Sequence, residues 1–183
     1  MRTSDIYYIE LECVRGNQLE NNNQVNGSMS YNNAQNSANQ PSNMSQQGFG
    51  IRDYGNLPVV FDMETMTKMN DNFRTVLWTG TYMQVVLMSI KPGEDIGIEV
   101  HPDMDQFIRI EEGDGLVQMG SSRDNLNFSQ IVEDDDSIII PAGAWHNVSN
   151  TGDVDMKLYT IYAPPHYAYG LVQETKEEAD MED

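Results

Sequence analysis

Gly93-Glu94-Asp95-Ile96-Gly97-Ile98-Glu99-Val100-His101-Pro102-Asp103-Met104-Asp105-Gln106-Phe107-Ile108-Arg109-Ile110-Glu111-Glu112-Gly113 and, further on, Pro141-Ala142-Gly143-Ala144-Trp145-His146-Asn147-Val148-Ser149-Asn150 are the two stretches on which the fold reading turns. In a β-strand, residues two apart point to the same face. Glu99 and His101 therefore share a face, and Gln106 shares one with Ile108 and Ile110 on the strand that follows the turn. His146 comes from a distant strand pair. Held on rigid strands, these four side chains can converge on one point, as a metal centre requires. Pro102 helps the chain turn after His101, and Gly143 frees the backbone just before His146. Asp105 competes with Gln106 for the fourth position, and Gln106 is preferred because it lies on the apolar, inward face.

Working outward, turn residues punctuate short strands throughout the chain. Strands are predicted over 74–78, 83–90, 106–110, 116–119, 128–132, 137–140, 145–148 and 156–162. Thr79-Gly80, Lys91-Pro92-Gly93, Glu112-Gly113-Asp114-Gly115, Pro141-Ala142-Gly143 and Asn150-Thr151-Gly152-Asp153 are among the turns between them. One short helix is expected over 63–70, with Asp62 as its N-cap and Asn70-Asp71-Asn72 as its end. Many short strands with little helix indicate an all-β antiparallel sandwich or barrel.

The two stretches resemble the paired motifs of the cupin superfamily. In the first motif, Gly93 is followed by five residues, then Glu99-Val100-His101, then, after four residues, Gln106 and, after six more, Gly113. In the second, Pro141-Ala142-Gly143 leads through two residues to His146 and then, after three more, to Asn150. Asp135 stands where the second motif opens with Gly, Glu99 where the first has its leading His, and Gln106 where it has Glu. The resemblance covers roughly 75–163 and implies a cupin jelly-roll barrel with a metal held by Glu99, His101, Gln106 and His146. Cupin spacing also tolerates Asp105 as the fourth ligand. Zn, Fe(II), Mn or Ni would suit such a donor set. The chain is similar to small bacterial cupins labelled mannose-6-phosphate isomerase-like, which implies an isomerase or epimerase acting on a sugar or other carbonyl compound. An Fe(II)-type dioxygenase and a non-catalytic, small-molecule-binding or structural cupin remain open alternatives. No catalytic base is assigned. A phosphosugar substrate would need an inward cation, and none is legible: Arg109 alternates with Ile108 and Ile110 and should face outward.

The remaining features set limits. Acidic residues number 29 against 10 basic ones, a formal charge of −19 over 183 residues. Such a molecule repels phosphate backbones, so neither nucleic acid nor an anionic membrane surface is an expected partner. The single cysteine, Cys13, leaves no disulfide framework, and no run approaches the roughly 18 apolar residues of a membrane span. A cytoplasmic location and a small-molecule substrate are expected, with a homodimer formed to cover open strand edges. Residues 17–48 contain 10 Asn and 6 Gln. They have too little apolar surface to offset ordering entropy, so residues 1–48 are read as a mostly disordered tail. Residues 6–14 are a candidate edge strand within it. Residues 49–173 form the cupin domain, and 174–183 an acidic C-terminal tail that begins as a helix and frays. His166 lies outside both motifs and is read as a surface or rim residue, Asp134-Asp135-Asp136 as a solvated turn, and Glu111-Glu112 as turn residues. A chain beginning at Phe49 is expected to melt cooperatively within a few degrees of the full chain. Insolubility or a large loss of stability would make the tail part of the fold.

Overall fold

The computed structural model describes residues 50–182. The expectations for the Asn/Gln-rich segment 17–48, for the strand at 6–14 and for Cys13 lie outside the described residues. From Gly50 onward the element order is α1 (Met63–Lys68), β1 (Arg74–Thr79), β2 (Gln84–Ile90), β3 (Asp105–Glu112), β4 (Gly115–Gly120), β5 (Phe128–Val132), β6 (Ser137–Ile140), β7 (Trp145–Asn150), β8 (Met156–Ala163), β9 (Val172–Gln173) and α2 (Lys176–Glu182). The predicted all-β cupin barrel is the observed architecture. A six-stranded sheet of order β6-β3-β8-β2-β1-β9 faces a three-stranded sheet of order β5-β4-β7, and the named strand pairs are antiparallel. Among the described residues no helix is long and apolar enough to cross a membrane.

Alternating side chains explain the layering. Ile108 and Ile110 of β3, Leu158 and Met156 of β8 and Val86 and Met88 of β2 meet Val117 of β4 and Val148 of β7 in one buried cluster. Full burial of such a side chain contributes about 1.5–3 kcal/mol. On the outer face of the larger sheet, Met66 of α1 packs on Leu77 and Leu87 in a second, smaller cluster. The helix starts where expected, with the Asp62 carboxylate accepting from the Thr65 N–H, and closes at Lys68, two residues before the predicted end.

One expectation is met in part and another needs correction. The acidic stretch expected to begin as a helix contains one, α2, and this helix packs on the barrel. Ala179 is buried in the main cluster, and Lys176 Nζ lies 3.1 Å from Asp95. That burial and ion pair supply what the acidic composition alone lacks. The chain carrying Glu99 and His101 is also not a regular strand. It is attached to β7 by the isolated bridges Asp95–Ser149 and Glu99–His146. Gly97 adopts φ +90°, and the Asp95 carboxylate accepts from its N–H, which bends the chain between the two bridges. Gly113 closes the first motif with φ +93°, and a Cβ there would stand 3.0 Å from the Met156 Cα. Only glycine meets both constraints.

Asn150, the last residue of the second motif, fastens the β7–β8 turn to the end of β2. Its Nδ2 donates to the Ile90 and Val154 carbonyls, both at 2.7 Å, and its Oδ1 accepts from the Gly152 N–H at 2.9 Å. The side chain is 2% exposed, so truncation would leave these groups short of partners in a dry place. Asn150→Ala is expected to cost about 2–4 kcal/mol in urea unfolding. A loss below about 0.5 kcal/mol, the scale of an ordinary surface substitution, would show that the fastening is not used.

Candidate metal centre

The two motifs are joined by a reciprocal pair of backbone hydrogen bonds. The Glu99 N–H donates to the His146 carbonyl at 3.0 Å, and the His146 N–H donates to the Glu99 carbonyl at 2.9 Å. Residues directly opposed in this way place their side chains side by side on one face. The Gly143 N–H also donates to the His101 carbonyl at 2.8 Å, which ties the turn before His146 to the end of the first motif's bent segment. The outcome is that one atom, Glu99 Oε1, lies 3.2 Å from His101 Nε2 and 3.2 Å from His146 Nε2. Ligand-capable atoms of Glu99, His101 and His146 all fall within 4.8 Å of one another.

Proton accounting makes this cluster unusual. His146 Nδ1 faces the Ala144 carbonyl at 3.0 Å, and its Nε2 faces the Glu99 carboxylate. Both partners are acceptors. Either the ring is doubly protonated in a place where its side chain is 0% exposed, or a cation takes the place of the Nε2 proton. His101 Nε2 meets the same carboxylate oxygen. Burial would raise the Glu99 pKa. The hydrogen bonds and charges of His101 and His146 outweigh burial and hold it down at about 2. The carboxyl is therefore an anion at any ordinary pH.

Gln106, on β3, is buried. Its Nε2 donates to Thr160 Oγ1 at 3.1 Å, which leaves Oε1 buried without a partner among the described residues. Bonds of about 2.1 Å to a tetrahedral ion separate neighbouring donor atoms by about 3.4 Å, close to the 3.2 Å between Glu99 Oε1 and each imidazole. Donor chemistry and spacing both fit a divalent ion. Asp105 is excluded from this group. It is exposed, and its carboxylate accepts from the Ala142 N–H at 2.9 Å, bracing the turn before His146.

The surroundings contain residues that the sequence did not assign. Tyr162 is 1% exposed and meets His101 edge to face, with 5.6 Å between centroids. Burial pushes its phenol well above the usual range, with nearby Tyr167 and Glu99 adding to the effect, so it stays protonated. An inward cation also exists. The Arg74 guanidinium is buried, donates to Gln173 Oε1 at 2.6 Å and stacks on Tyr167 at 4.5 Å. Tyr167 in turn meets Tyr162 edge to face. β1 is buried on both faces over Arg74–Leu77, so alternation could not have revealed which way Arg74 points.

The remaining acidic candidates lie outside this centre, and Glu111, Asp134 and Asp135 form a second, mostly exposed cluster of carboxylates. Arg109 faces outward as expected and pairs with Asp135 and, at 3.6 Å, with Glu111. Asp134 and Asp135 form the exposed turn that was expected. Glu111 and Glu112 are not turn residues, because β3 runs through both. Glu111 is buried, and burial pushes its carboxyl up against the opposing pull of Arg109. His166 is exposed and lies at the rim, with its ring 4.6 Å from that of His101.

Comparison with known proteins agrees with this architecture. The sequence profile of the Cupin domain family matches residues 86–162. YrkC of Bacillus subtilis (strain 168), an uncharacterised protein, is 56% identical over 129 residues, covering 70% of this chain and 69% of its own. L612 of Acanthamoeba polyphaga mimivirus, also uncharacterised, is 40% identical over 114 residues, covering 62% of this chain and 69% of its own. The crystal structure of BH2720 from Bacillus halodurans superposes with a TM-score of 0.71 at 56% identity, covering 72% of this chain and 99% of that one. With the barrel, the two motifs and these relatives in agreement, the chain belongs to the cupin superfamily.

Proposed function

We propose that this chain is a mononuclear metal-binding cupin that acts as an isomerase or epimerase on a sugar or other carbonyl compound. Glu99, His101 and His146 hold one divalent ion, with Gln106 as the fourth contact. The observation that carries the reading is the crowding of acceptors: a carboxylate oxygen between two imidazole nitrogens, one of which already faces a carbonyl on its other side. Two neutral imidazoles, a carboxylate and an amide leave a divalent ion with a net charge of about +1, and release of the weak amide or expansion to five-coordination opens a position for a ligand. Zn, Fe(II), Mn and Ni all suit this set. Such an ion supplies Lewis-acid polarisation of a carbonyl oxygen or a lowered pKa for a bound water.

The protein's own groups supply the rest. The Ala144 carbonyl fixes the His146 tautomer and ring plane, as outer partners of metal-ligating imidazoles do. The Tyr162 ring walls the site beside His101. Glu99, with its side chain 23% exposed, marks the side from which a small molecule reaches the centre. Two imidazoles and one carboxylate also match the donor set of non-haem Fe(II) oxygenases, and this supports dioxygenase chemistry as a second reading.

Elemental analysis of protein purified without chelator tests the ligand set. Wild type is expected to hold one equivalent of metal. His101→Ala and His146→Ala are expected to abolish it, and Glu99→Ala nearly so. Gln106→Ala should retain metal with affinity lowered about 10- to 100-fold, while Asp105→Ala should leave metal content unchanged. Retention by both histidine variants would refute the centre. For the reaction, the metal-loaded protein is incubated in D2O with a panel of aldoses and ketoses. Deuterium incorporation beside the carbonyl is the expected result. Oxygen uptake by iron-loaded protein without such exchange would replace the isomerase reading with the oxygenase one.

A further inference from the structure

His166 belongs to neither motif, yet several buried polar groups are committed to where it stands. It lies on the connection between β8 and β9. Gln84 of β2, 0% exposed, grips this connection through its backbone. Gln84 Oε1 accepts from the His166 N–H at 3.2 Å and from the Tyr167 N–H at 2.9 Å. Its Nε2 donates to the Tyr167 carbonyl at 3.0 Å and to Thr79 Oγ1 at 2.9 Å. Thr79 Oγ1 donates onward to Asp53 Oδ2 at 2.7 Å, which also accepts from the Gly170 N–H at 3.0 Å. Both ends of the segment 166–170 are thus pinned by side chains from inside the fold.

The consequence falls at the centre described above. The His166 ring meets the His101 ring at a tilt of 68° with centroids 4.6 Å apart, and it also packs on Tyr162 and Tyr167. It does not join the set of ligand-capable atoms formed by Glu99, His101 and His146. His166 therefore borders that set without belonging to it, on the exposed side of a partly closed site. A hydrogen-bonding group in this position is suited to a small ligand on the ion rather than to the ion itself.

From this geometry we infer that His166 is a substrate-contacting residue, donating a hydrogen bond to the small ligand that takes the metal's open position, and that Gln84 is the positioning residue that holds it there. The inference rests on the metal-centre reading and adds to it a specificity-determining group from outside the motifs.

Azide binding to the cobalt(II)-loaded full chain, followed by the cobalt absorption bands, tests it. His166→Phe keeps an aromatic ring against His101 but removes the hydrogen-bonding nitrogens. It is expected to retain one cobalt with unchanged bands before azide, and to bind azide about three- to tenfold more weakly, the worth of one hydrogen bond. His166→Gln, which restores a donor, should recover part of the loss. Gln84→Met leaves His166 in the sequence but unpins it, and should weaken azide with cobalt content unchanged. Wild-type azide affinity in His166→Phe would overturn the inference while leaving the metal centre intact. Loss of cobalt in His166→Phe would overturn it as well, because His166 would then act through the metal ligands. Absence of cobalt from wild type would instead refute the metal-centre reading, and this inference with it.

Discussion

The reciprocal hydrogen bonds between Glu99 and His146 are the constraint on which the rest of the site depends. They lock a segment that belongs to no ladder, the one carrying Glu99, onto β7, which lies far from it in sequence. Everything chemical follows from that register. A slip of one residue on either side would send one of the two side chains to the opposite face, and the three-way approach of Glu99, His101 and His146 would be lost. The surrounding features act to prevent such a slip. Gly97 bends the segment into place, the Gly143 N–H holds the His101 carbonyl, Asp105 braces the turn at Ala142, and Asn150 fastens the far end of β7.

The register creates an electrostatic conflict. His146 faces an acceptor on each ring nitrogen, the Ala144 carbonyl and Glu99 Oε1, and elsewhere Gln106 Oε1 is buried with no partner among the described residues. Buried polar groups are normally paired, because an unpaired one forfeits its hydration without return. An imidazole held between two acceptors on rigid segments is therefore a demand for positive charge. Either protons on both imidazoles or one metal ion can meet it. The neutral Tyr162 phenol and the rings of His101 and His166 then form the wall against which a small molecule would rest.

Much of this was legible in the sequence. The two-residue period of Glu99–His101 and of Gln106–Ile108–Ile110, together with turn residues at fixed offsets, was enough to give the barrel and to choose Gln106 over Asp105 for the inward face. What escaped the reading depends on contacts between distant residues. His166 lies over His101 because Gln84 grips its backbone across 82 positions of sequence, and no local pattern encodes that. Arg74 sits in a strand buried on both faces, where alternation carries no signal. The acidic stretch before Asp183 reads as a solvated tail until Lys176 is paired with Asp95 and Ala179 is set against the core.

The central claim is that the charge between Glu99 and the two imidazoles is a metal ion rather than a pair of protons. Nitrogen-15 NMR of histidine-labelled protein, recorded before and after one equivalent of zinc, addresses it most directly. The account predicts that Nε2 of both His101 and His146 moves to the metal-bound range while His146 Nδ1 keeps its proton to Ala144, with neither nitrogen of His166 becoming ligated. Persistence of protons on both nitrogens of His146 in the presence of zinc would contradict it, and would make the cluster an ion pair rather than a metal site.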